Sequence, residues 1–512
     1  MSSPTKILAL GLDSFDPDLM WSLAAEGGLP NIESLFARGA WQATVNPPGL
    51  FVGAVWPSFY TGASPATHGR YCFRQLVPGT YDVEAFLPSA LRARPFWSVL
   101  SEAGRRVAVV DVPHSAITPD LEGVQVAEWG AHDSDLDFAT WPPRLAADVE
   151  KRYGMHPVPG HCNAARSSVT DFAIFREQLL DGVEVRTRLL CDLLDRGGWD
   201  LFLAVLSESH CAGHQCWHLH DPGHPLHDAE QVSMLGDPIA DVYRALDRAV
   251  GRLVSRVDDD TTVMLLLSHG MGPRYEATAM LDEVLVRLET VAMPEGRRRL
   301  TAALRWGWQR TPPTVRGLLK RTVDGSRPPA MAVGVSRGEA ARRSFAVPNN
   351  DTCGAIRVNL AGREPSGRVA EEELDDYLTS LSSELLALRN GATGRPVVAS
   401  VTRTADVYGG RIDHLPDLLV DWCWDDAAIE SICSPGVGTV RRPRRGPSSP
   451  VNDFRTGDHR PSGAVAIAAP WLSPGRLPDP LAVTDLAPTI CALLGVDLPG
   501  VDGRPVHVLT AT

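Results

Sequence analysis

The chain has 512 residues, of which 44% are hydrophobic, and it carries a formal net charge of -13. An acidic chain presents no overall basic face, so nucleic acid is excluded as the default partner. No uninterrupted apolar run reaches the ~20 residues of a membrane-spanning helix, so no membrane contact is expected. The apolar stretch ILALGLD near the start is too short for a signal peptide, and nine scattered cysteines suit a reducing compartment. We therefore expect a cytoplasmic protein with a large apolar core.

Short apolar runs alternate with amphipathic segments, which is typical of a mainly parallel sheet covered by helices. The predicted strands are 6–12, 106–112, 201–206, 262–267, 355–360, 418–421 and 464–468. Asp237 followed by Pro238 predicts the start of a helix that ends near Val257, because aspartate caps helices and proline suits the first turn. A second helix is expected to open at Thr484 and to close at Gly495. The predicted fold class is therefore α/β.

One long segment breaks this alternation. Residues 276–345 contain the arginine-rich stretch RRRLTAALRWGWQR and several prolines, without a convincing strand pattern. We interpret the segment as an inserted helical cap, and a pair of solvated surface helices is the alternative interpretation of its arginines. The remaining residues, 1–275 and 346–512, then form one α/β domain.

Acidic residues and histidines follow several predicted strands directly. They are Asp13 after the first strand, Glu208, His210 and His214 after the third, His269 after the fourth, and His459 just before the last. Because ligands of open α/β sheets bind beyond the carboxyl ends of the strands, we expect these side chains at one rim. Each of them taken alone also has a structural interpretation; Asp13, for example, can cap a helix beginning at Pro17.

The spacing of these residues predicts a metal site. His210 and His214 are four residues apart, so both imidazoles lie on one face if the segment is helical. With His459 they make three protein ligands and an open position, the arrangement of a catalytic zinc site. Nitrogen ligands with one or two carboxylates suit zinc, with manganese or iron as alternatives, and we expect one or two ions. Glu208 is a further ligand or a general base, or it only forms a salt bridge.

Other polar residues nearby are secondary candidates. Cys211 and Cys216 are either soft metal ligands or small buried hydrophobes. A loop with proline and glycine carries further histidines, and we do not assign them to the site. These are His218, His220, His224 and His227.

Taken together, the segments resemble the alkaline phosphatase superfamily, and within it the branch of type I phosphodiesterases and nucleotide pyrophosphatases. The resemblance spans nearly the whole chain. The segments that carry it are ILALGLDSFDPDLM with LPNIESLFARGA, WPSFYTGASPATHGRY, LLLSHGM, GAIRVNLAGREPSG, LPDLLV, RTGDHRPSGAVAIAAP and TDLAPTICALLG. The resemblance implies a three-layer sandwich of the alkaline phosphatase type, with a mainly parallel central sheet.

The resemblance also implies a set of metal ligands. Members of this branch bind two zinc ions through aspartate and histidine, and a threonine or serine attacks phosphorus to give a covalent phospho-enzyme. Carried over to this chain, Asp13 and His269 bind the ion on the nucleophile side. His214 and His459 bind the other ion.

The nucleophile position is the first departure from the family pattern. It falls on Val52, which has no hydroxyl group. Ser58 or Thr61 takes this role only if the alignment is shifted, and packing or capping in the following helix is the preferred interpretation of both.

Two ligand positions also depart from the pattern. Ser268 stands where an aspartate is expected before His269, and His210 stands where an aspartate is expected before His214. Imidazole still binds metal, whereas a serine hydroxyl is a poor ligand. We therefore expect metal binding at Asp13 and His269 to be weaker than at His210, His214 and His459, or absent.

The predicted function is metal-dependent hydrolysis of a small phosphorylated molecule: a phosphate ester, a phosphodiester or a nucleotide-like pyrophosphate. Without a hydroxyl at Val52, metal-bound hydroxide is expected to attack phosphorus directly. Arg70, Arg74 and Arg274 are the candidates for binding phosphate oxygens. One alternative is a redirected relative that catalyses a non-phosphate hydrolysis or an elimination. The other is a non-catalytic binding protein, which the retained metal ligands oppose.

Overall fold

The computed structural model describes residues 6–130, 136–158, 164–274, 277–291, 337–350, 352–424, 429–443 and 455–510. The chain divides into two compact units. The first comprises Met1–Phe73, Phe86–Arg274 and Arg445–Thr512, and the second comprises Arg74–Ala85 and Tyr275–Arg444. Most of the predicted cap at 276–345 lies outside the described residues, and the second unit extends well beyond it.

The strands in chain order are β1 Ile7–Leu12, β2 Ala40–Val45, β3 Arg74–Leu76, β4 Val83–Ala85, β5 Val107–Val110, β6 Gly123–Ala127, β7 Ala139–Trp141, β8 Leu201–Leu206, β9 Thr262–Leu267, β10 Gly270–Pro273, β11 Ser344–Val347, β12 Cys353–Val358, β13 Arg389–Asn390, β14 Val398–Arg403, β15 Leu418–Trp422, β16 Ser431–Ser434, β17 Gly438–Arg441, β18 Gly457–Arg460, β19 Gly463–Ala468, β20 Gly475–Arg476 and β21 Leu481–Ala482.

The helices are α1 Pro17–Ala25, α2 Pro30–Arg38, α3 Phe51–Thr61, α4 Pro65–His68, α5 Phe96–Glu102, α6 Leu145–Tyr153, α7 Val169–Leu194, α8 Glu208–His220, α9 Ala229–Leu235, α10 Pro238–Val254, α11 Leu281–Val291, α12 Arg337–Ala340, α13 Leu374–Leu386, α14 Thr404–Val407, α15 Val483–Leu493 and α16 His507–Thr510. Within the described ranges, none of the helices combines the length and the apolar character that crossing a membrane requires.

A large sheet forms the centre of the first unit. Its strand order is β20-β2-β19-β9-β1-β8-β5-β6-β7, with β21 also beside β2. The five strands from β9 to β6 run parallel to one another. Strand β19 is antiparallel to both of its neighbours, and β7 is antiparallel to β6. The sheet is therefore mainly parallel at its centre, as predicted.

Both faces of this sheet are buried, as the continuous apolar runs of its central strands require. Side chains alternate between the faces of a strand. In β1, Leu8 and Leu10 accordingly join one apolar cluster, while Ile7 and Ala9 join a second one. Helices α7 and α10 contribute to the first cluster, and α3, α5 and α15 contribute to the second. The predicted three-layer α/β sandwich is confirmed.

The helix starts follow the capping chemistry of the sequence. The carboxylate of Asp237 accepts hydrogen bonds from the N–H groups of Ile239 and Ala240, so α10 begins where the aspartate–proline pair predicts. Helix α10 ends at Val254, three residues before the predicted end. Helix α1 is capped by Asp16, whose side chain accepts from Leu19 N–H, so Asp13 is not the cap of this helix.

The second unit contains a separate four-stranded antiparallel sheet with the order β11-β12-β15-β14. Strands β12 and β15 correspond to the predicted segments 355–360 and 418–421, which were assigned to the main sheet. That assignment was wrong, because an apolar run indicates a buried strand and not the partner with which it pairs. Helices α11 and α13 share an apolar cluster with this sheet.

Candidate metal centre

Three neighbouring strands deliver polar residues to one rim of the main sheet. Strand β1 pairs with β8 on one side and β9 on the other, and Leu12 lies level with both Leu206 and Leu267. Because the strands end at the same level, the residues after them leave the sheet side by side. These are Asp13 and Ser14 after β1, Ser207 and Glu208 after β8, and Ser268 and His269 after β9, all of them buried.

His459 reaches the same rim from strand β18, which pairs with β10 immediately after His269. Helix α8 packs so closely on β18 that a Cβ atom on Gly457 would collide with the carbonyl oxygen of Gly213. This close approach lets His214 Nδ1 donate to the Gly457 carbonyl oxygen over 2.9 Å. A carbonyl oxygen only accepts, so Nδ1 carries the proton and His214 Nε2 offers a lone pair.

His210, His214 and His459, which we call the three-histidine group, are brought together as the sequence predicts. Each offers a ring nitrogen, and these nitrogens all lie within 4.8 Å of one another. All three residues are buried. No second group of this kind occurs among the residues that the structure describes.

The donor geometry fits a first-row metal ion. His214 Nε2 and His459 Nε2 face each other at 3.1 Å. Tetrahedral zinc with bonds of ~2.0–2.1 Å places its nitrogen ligands about 3.4 Å apart, so little adjustment is needed. The second ring nitrogen of His214 is fixed by a carbonyl, as the outer contact of a metal-binding histidine commonly is. Three imidazoles suit zinc in preference to calcium or magnesium.

Asp13 lies beside this group and is held by neutral donors. Its Oδ1 atom accepts from Trp56 Nε1 over 2.8 Å and from Ser268 Oγ over 3.1 Å. The indole of Trp56 reaches this position across Gly11, where a Cβ atom would lie only 2.6 Å from the ring. Burial raises the pKa of Asp13 to about 6, although these two hydrogen bonds oppose the increase.

His269 is also part of this cluster. Its Nδ1 atom lies 2.9 Å from Ser268 Oγ, and its Nε2 atom lies 2.9 Å from His459 Nδ1. The structure therefore places Asp13 and His269 next to the three-histidine group, connected through the serine that replaces the expected aspartate.

Ser14 is a site residue that the sequence interpretation missed. Its hydroxyl oxygen lies 2.9 Å from His269 Nε2 and 3.3 Å from His459 Nδ1. Its φ angle of 54° is in the left-handed region, which costs a residue with a Cβ atom about 1–2 kcal/mol. Strain of this kind collects at functional sites. The only sequence signal was its position directly after Asp13.

Glu208 is engaged in an ion pair and does not reach the three-histidine group. Its Oε1 atom accepts from Arg186 Nε over 3.0 Å and lies 3.1 Å from His156 Nε2. Burial alone would raise the pKa of Glu208, but the charge of Arg186 and the contact with His156 outweigh it and hold the pKa at about 2. A carboxylate this acidic is a poor proton acceptor at neutral pH, so the geometry favours the salt-bridge interpretation over a general base.

Val52 lies in the first turn of α3 and is partly buried. The preceding residue, Phe51, packs edge-on against the His269 ring, with the centroids 5.7 Å apart. The turn that carries the nucleophile position in the family pattern is therefore beside the site, and it has no hydroxyl there.

The two alternative hydroxyls are both committed elsewhere. His68 Nδ1 accepts from the Arg70 N–H group, so Nε2 carries the proton and donates to Ser58 Oγ over 3.0 Å. That imidazole cannot take a proton from Ser58. Thr61 donates to the Pro57 carbonyl oxygen over 2.6 Å. Both residues have the structural roles that the sequence interpretation preferred.

The three predicted phosphate-binding arginines lie in different surroundings. Arg70 is buried and donates to the carbonyl oxygens of Gly53 and Phe86, so it holds the chain around α3. Arg274 Nε lies 3.7 Å from the carboxylate of Asp458, next to His459. Arg74 begins β3 in the second unit. Their role in binding substrate stays a prediction.

The secondary candidates have structural contacts of their own. His218 Nδ1 contacts Thr456 Oγ1 at 3.1 Å, and His220 pairs with Asp237 at 2.7 Å. His224 and His227 contact the backbone oxygens of Thr456 and His218. Cys211 and Cys216 are buried, and burial raises the pKa of the Cys216 thiol to about 12, which disfavours the thiolate that binds metal.

Comparisons with known proteins show the family and the fold of the chain. The sequence matches the family model described as type I phosphodiesterase / nucleotide pyrophosphatase over residues 7–425. No curated protein matches the chain significantly. Phosphonoacetate hydrolase from Sinorhizobium meliloti 1021, solved in complex with phosphonoformate, is similar in structure, with a TM-score of 0.53 and 14% identity over 96% of both chains. Murine ectonucleotide pyrophosphatase / phosphodiesterase 5 has a TM-score of 0.51 and 11% identity, over 98% of this chain and 98% of that one. At these identities the likeness concerns the fold, which is of the alkaline phosphatase type.

Proposed function

The chain belongs to the type I phosphodiesterase / nucleotide pyrophosphatase family, and from this premise we propose that it is a metal-dependent hydrolase of small phosphorylated molecules. The substrate classes are a phosphate ester, a phosphodiester and a nucleotide-like pyrophosphate. The observation that carries the proposal is the three-histidine group, which gathers three buried imidazoles at the rim where α/β enzymes bind ligands. We also propose a cytoplasmic location, which the scattered cysteines support.

The residues of the three-histidine group would hold the metal, and zinc suits them best. When bound, such a metal lowers the pKa of water to near neutrality and polarises a phosphoryl oxygen. His214 is oriented for this role by its hydrogen bond to Gly457, and His459 by its contacts with His269 and Ser14. Asp13 adds negative charge beside the group and favours a cation there.

The remaining residues bear on the nucleophile and on substrate binding. Val52 has no hydroxyl, Ser58 accepts a hydrogen bond from His68, and Thr61 donates to the Pro57 carbonyl oxygen, so α3 offers no hydroxyl that is activated to form a phospho-enzyme. Water is then the attacking group, and the reaction is a single displacement. Arg274, which directly follows β10 and lies 3.7 Å from the carboxylate of Asp458, is the candidate in the first unit for binding phosphate oxygens.

A redirected reaction is the second candidate, and the pair of Val52 and Ser268 favours it. Both positions have lost the group that the covalent phosphoryl-transfer mechanism of the family uses. With an ion held by the three-histidine group, the same rim would also suit hydrolysis of a carboxylic ester or amide, or an elimination.

The test is hydrolysis by the purified full chain, loaded with zinc or manganese, of phosphate monoesters, diesters, nucleotide pyrophosphates and phosphonoacetate. We expect turnover of at least one phosphorus substrate, its loss with a chelator, and its recovery with metal. A double variant, His214→Ala with His459→Ala, is expected to lose both metal and turnover. His220→Gln, on the same helix but paired with Asp237, is the matched control and should retain both. Full metal content in the double variant would refute the proposed metal site, and activity only on non-phosphorus substrates would favour the redirected reaction.

A further inference from the structure

We propose that Asp13, Ser268 and His269 bind no metal, and that they form a hydrogen-bond chain that orients His459 toward a single ion. This inference rests on the proposed metal site at the three-histidine group and makes it more specific. It assigns to Ser268 a positioning role that the aspartate of the family pattern could not fill.

The direction of the hydrogen bonds can be derived from the Asp13 end. The indole N–H of Trp56 can only donate, so Asp13 Oδ1 is an acceptor. Ser268 Oγ accepts from the backbone N–H of Ser14 over 3.2 Å. Its own hydrogen points at Asp13 Oδ1, 3.1 Å away, because a charged carboxylate is a stronger acceptor than His269 Nδ1 at 2.9 Å or the Leu12 carbonyl oxygen at 3.5 Å.

The next link is the His269 ring. A hydroxyl has one hydrogen and two lone pairs. After donating to Asp13 and accepting from Ser14, Ser268 Oγ has one lone pair left, and it faces His269 Nδ1 at 2.9 Å. His269 therefore carries its proton on Nδ1, and its Nε2 atom is an acceptor. All three hydrogen-bonding positions of Ser268 are then used.

The last link is His459. Its Nδ1 atom lies 2.9 Å from the acceptor Nε2 of His269, so the proton between them belongs to His459. Ser14 Oγ lies close to both nitrogens, at 2.9 Å from His269 Nε2 and 3.3 Å from His459 Nδ1, and its hydroxyl can share this hydrogen bond in a three-centre arrangement without changing its direction. His459 Nε2 consequently carries no proton, and its lone pair is directed at His210 and His214, the other members of the three-histidine group.

The protonation of His214 follows from a different contact and leads to the same conclusion. His214 Nδ1 donates its proton to the Gly457 carbonyl oxygen, so His214 Nε2 also carries no proton. Two lone pairs that face each other at 3.1 Å repel unless a cation lies between them. Both ends of the network thus require a positive charge at one place.

The same chain leaves no room for a second ion on His269. Its Nε2 lone pair is occupied by the His459 proton, and its Nδ1 atom carries a hydrogen directed at Ser268. An aspartate at position 268 could not donate to Asp13; the two carboxylates would repel each other and need a cation between them. A serine at this position donates to Asp13 and accepts from His269, so the network is complete without a second ion.

The experiment measures zinc stoichiometry and affinity of the full chain by competition with a chromophoric chelator. We expect one ion in the unmodified protein. Ser268→Ala and His269→Gln break different links of the chain, and each should keep one ion with an affinity about 10–100-fold lower, as loss of an outer partner of a ligand does. Ser58→Ala is the matched control: another buried serine that contacts an imidazole, outside the chain, and its affinity should be unchanged.

Two tight ions in the unmodified protein would overturn the inference, as would the loss of one of two ions in His269→Gln. Unchanged affinity in both Ser268→Ala and His269→Gln would also overturn it. Each variant is compared with the parent by thermal unfolding in chelator, which identifies a misfolded variant. If Ser268→Ala or His269→Gln misfolds, the zinc affinity of the other variant tests the inference. His214→Ala separates the two proposals: if it retains zinc, the three-histidine group is not the metal site, whatever the role of Ser268.

Discussion

Arg186 Nε donates to Glu208 Oε1 over 3.0 Å, and the two side chains are 0% and 1% exposed. The same guanidinium donates through Nη1 to Asp111 over 2.9 Å. Glu208 is the first residue of α8, so this pairing connects α7 to the start of the helix that carries His210 and His214.

We predict that Arg186→Met destabilises the fold by about 3–5 kcal/mol, because it leaves two buried carboxylates without their positive partner. Urea unfolding at pH 7 measures the effect. Lys6→Met is the control, since its partner Asp258 is exposed and such a pair contributes about 0–1 kcal/mol. Equal losses in the two variants would contradict the prediction.

The contributions of His218 and Glu208 to stability should be lost in different pH ranges as the solution is acidified, whereas Asp13, whose pKa is raised to about 6, contributes in the opposite direction. Burial, with His224 and His227 adding to it, lowers the pKa of His218 from 6.5 to about 4. At this histidine the unfolded chain then binds more protons than the folded one, so the contribution of His218 to stability is lost as the pH falls from 6.5 through 4. The pKa of Glu208 falls from 4.5 to about 2, so its contribution is lost between those values.

Urea unfolding across the pH series, in chelator, checks this. The difference in the free energy of unfolding between the parent and His218→Gln should decrease as the pH falls from 6.5 to 4 and stay constant below that range. A difference between variant and parent that stays constant from pH 7 to pH 4 would show that His218 titrates normally in the folded state.

Val52 leads to a stereochemical prediction. A single in-line attack by water inverts configuration at phosphorus, whereas two displacements through a phospho-enzyme retain it. With any phosphorus substrate that is turned over, a chiral thiophosphate analogue should therefore give inverted product, without a pre-steady-state burst. Retention, or an adduct recovered on Ser58 or Thr61 by peptide mass spectrometry, would exclude direct attack.

Ser268→Asp should raise the zinc stoichiometry. The new carboxylate faces Asp13 and the imidazole of His269, and the repulsion between two buried carboxylates is relieved by a cation. We expect a second, weaker ion by metal analysis after dialysis. Ser268→Asn, of similar size and uncharged, is the control and should not gain an ion. A variant that folds with one ion would show that charge at this position does not determine the ion count.

Much of the site could be predicted because its residues directly follow strands with clear apolar patterns. Asp13 and His269 lie at strand ends, His214 lies in the second turn of the helix that follows a strand, and parallel strands bring such ends together. The i, i+4 spacing of His210 and His214 likewise anticipated helix α8. These features depend on local periodicity, which a single sequence contains.

The missed features depend on which elements become neighbours. The contacts of Ser14 with two imidazoles follow from the packing of β18 beside β10, and nothing in the sequence near Ser14 indicates it. The role of Glu208 depended on Arg186, a residue of α7 whose burial no local pattern distinguishes from that of other helical arginines. The separate sheet of the second unit was missed for the same reason.

Strand β1 lies between β8 and β9, and all six of its residues are buried. Amide hydrogens in such a strand exchange with solvent only when the molecule opens globally. The rim that follows it is thus anchored to the part of the protein that opens last, and the histidines are held in place before any ion arrives. Zinc would add stability by mass action alone, with the logarithm of its concentration over its dissociation constant, and the protein would not depend on it to fold.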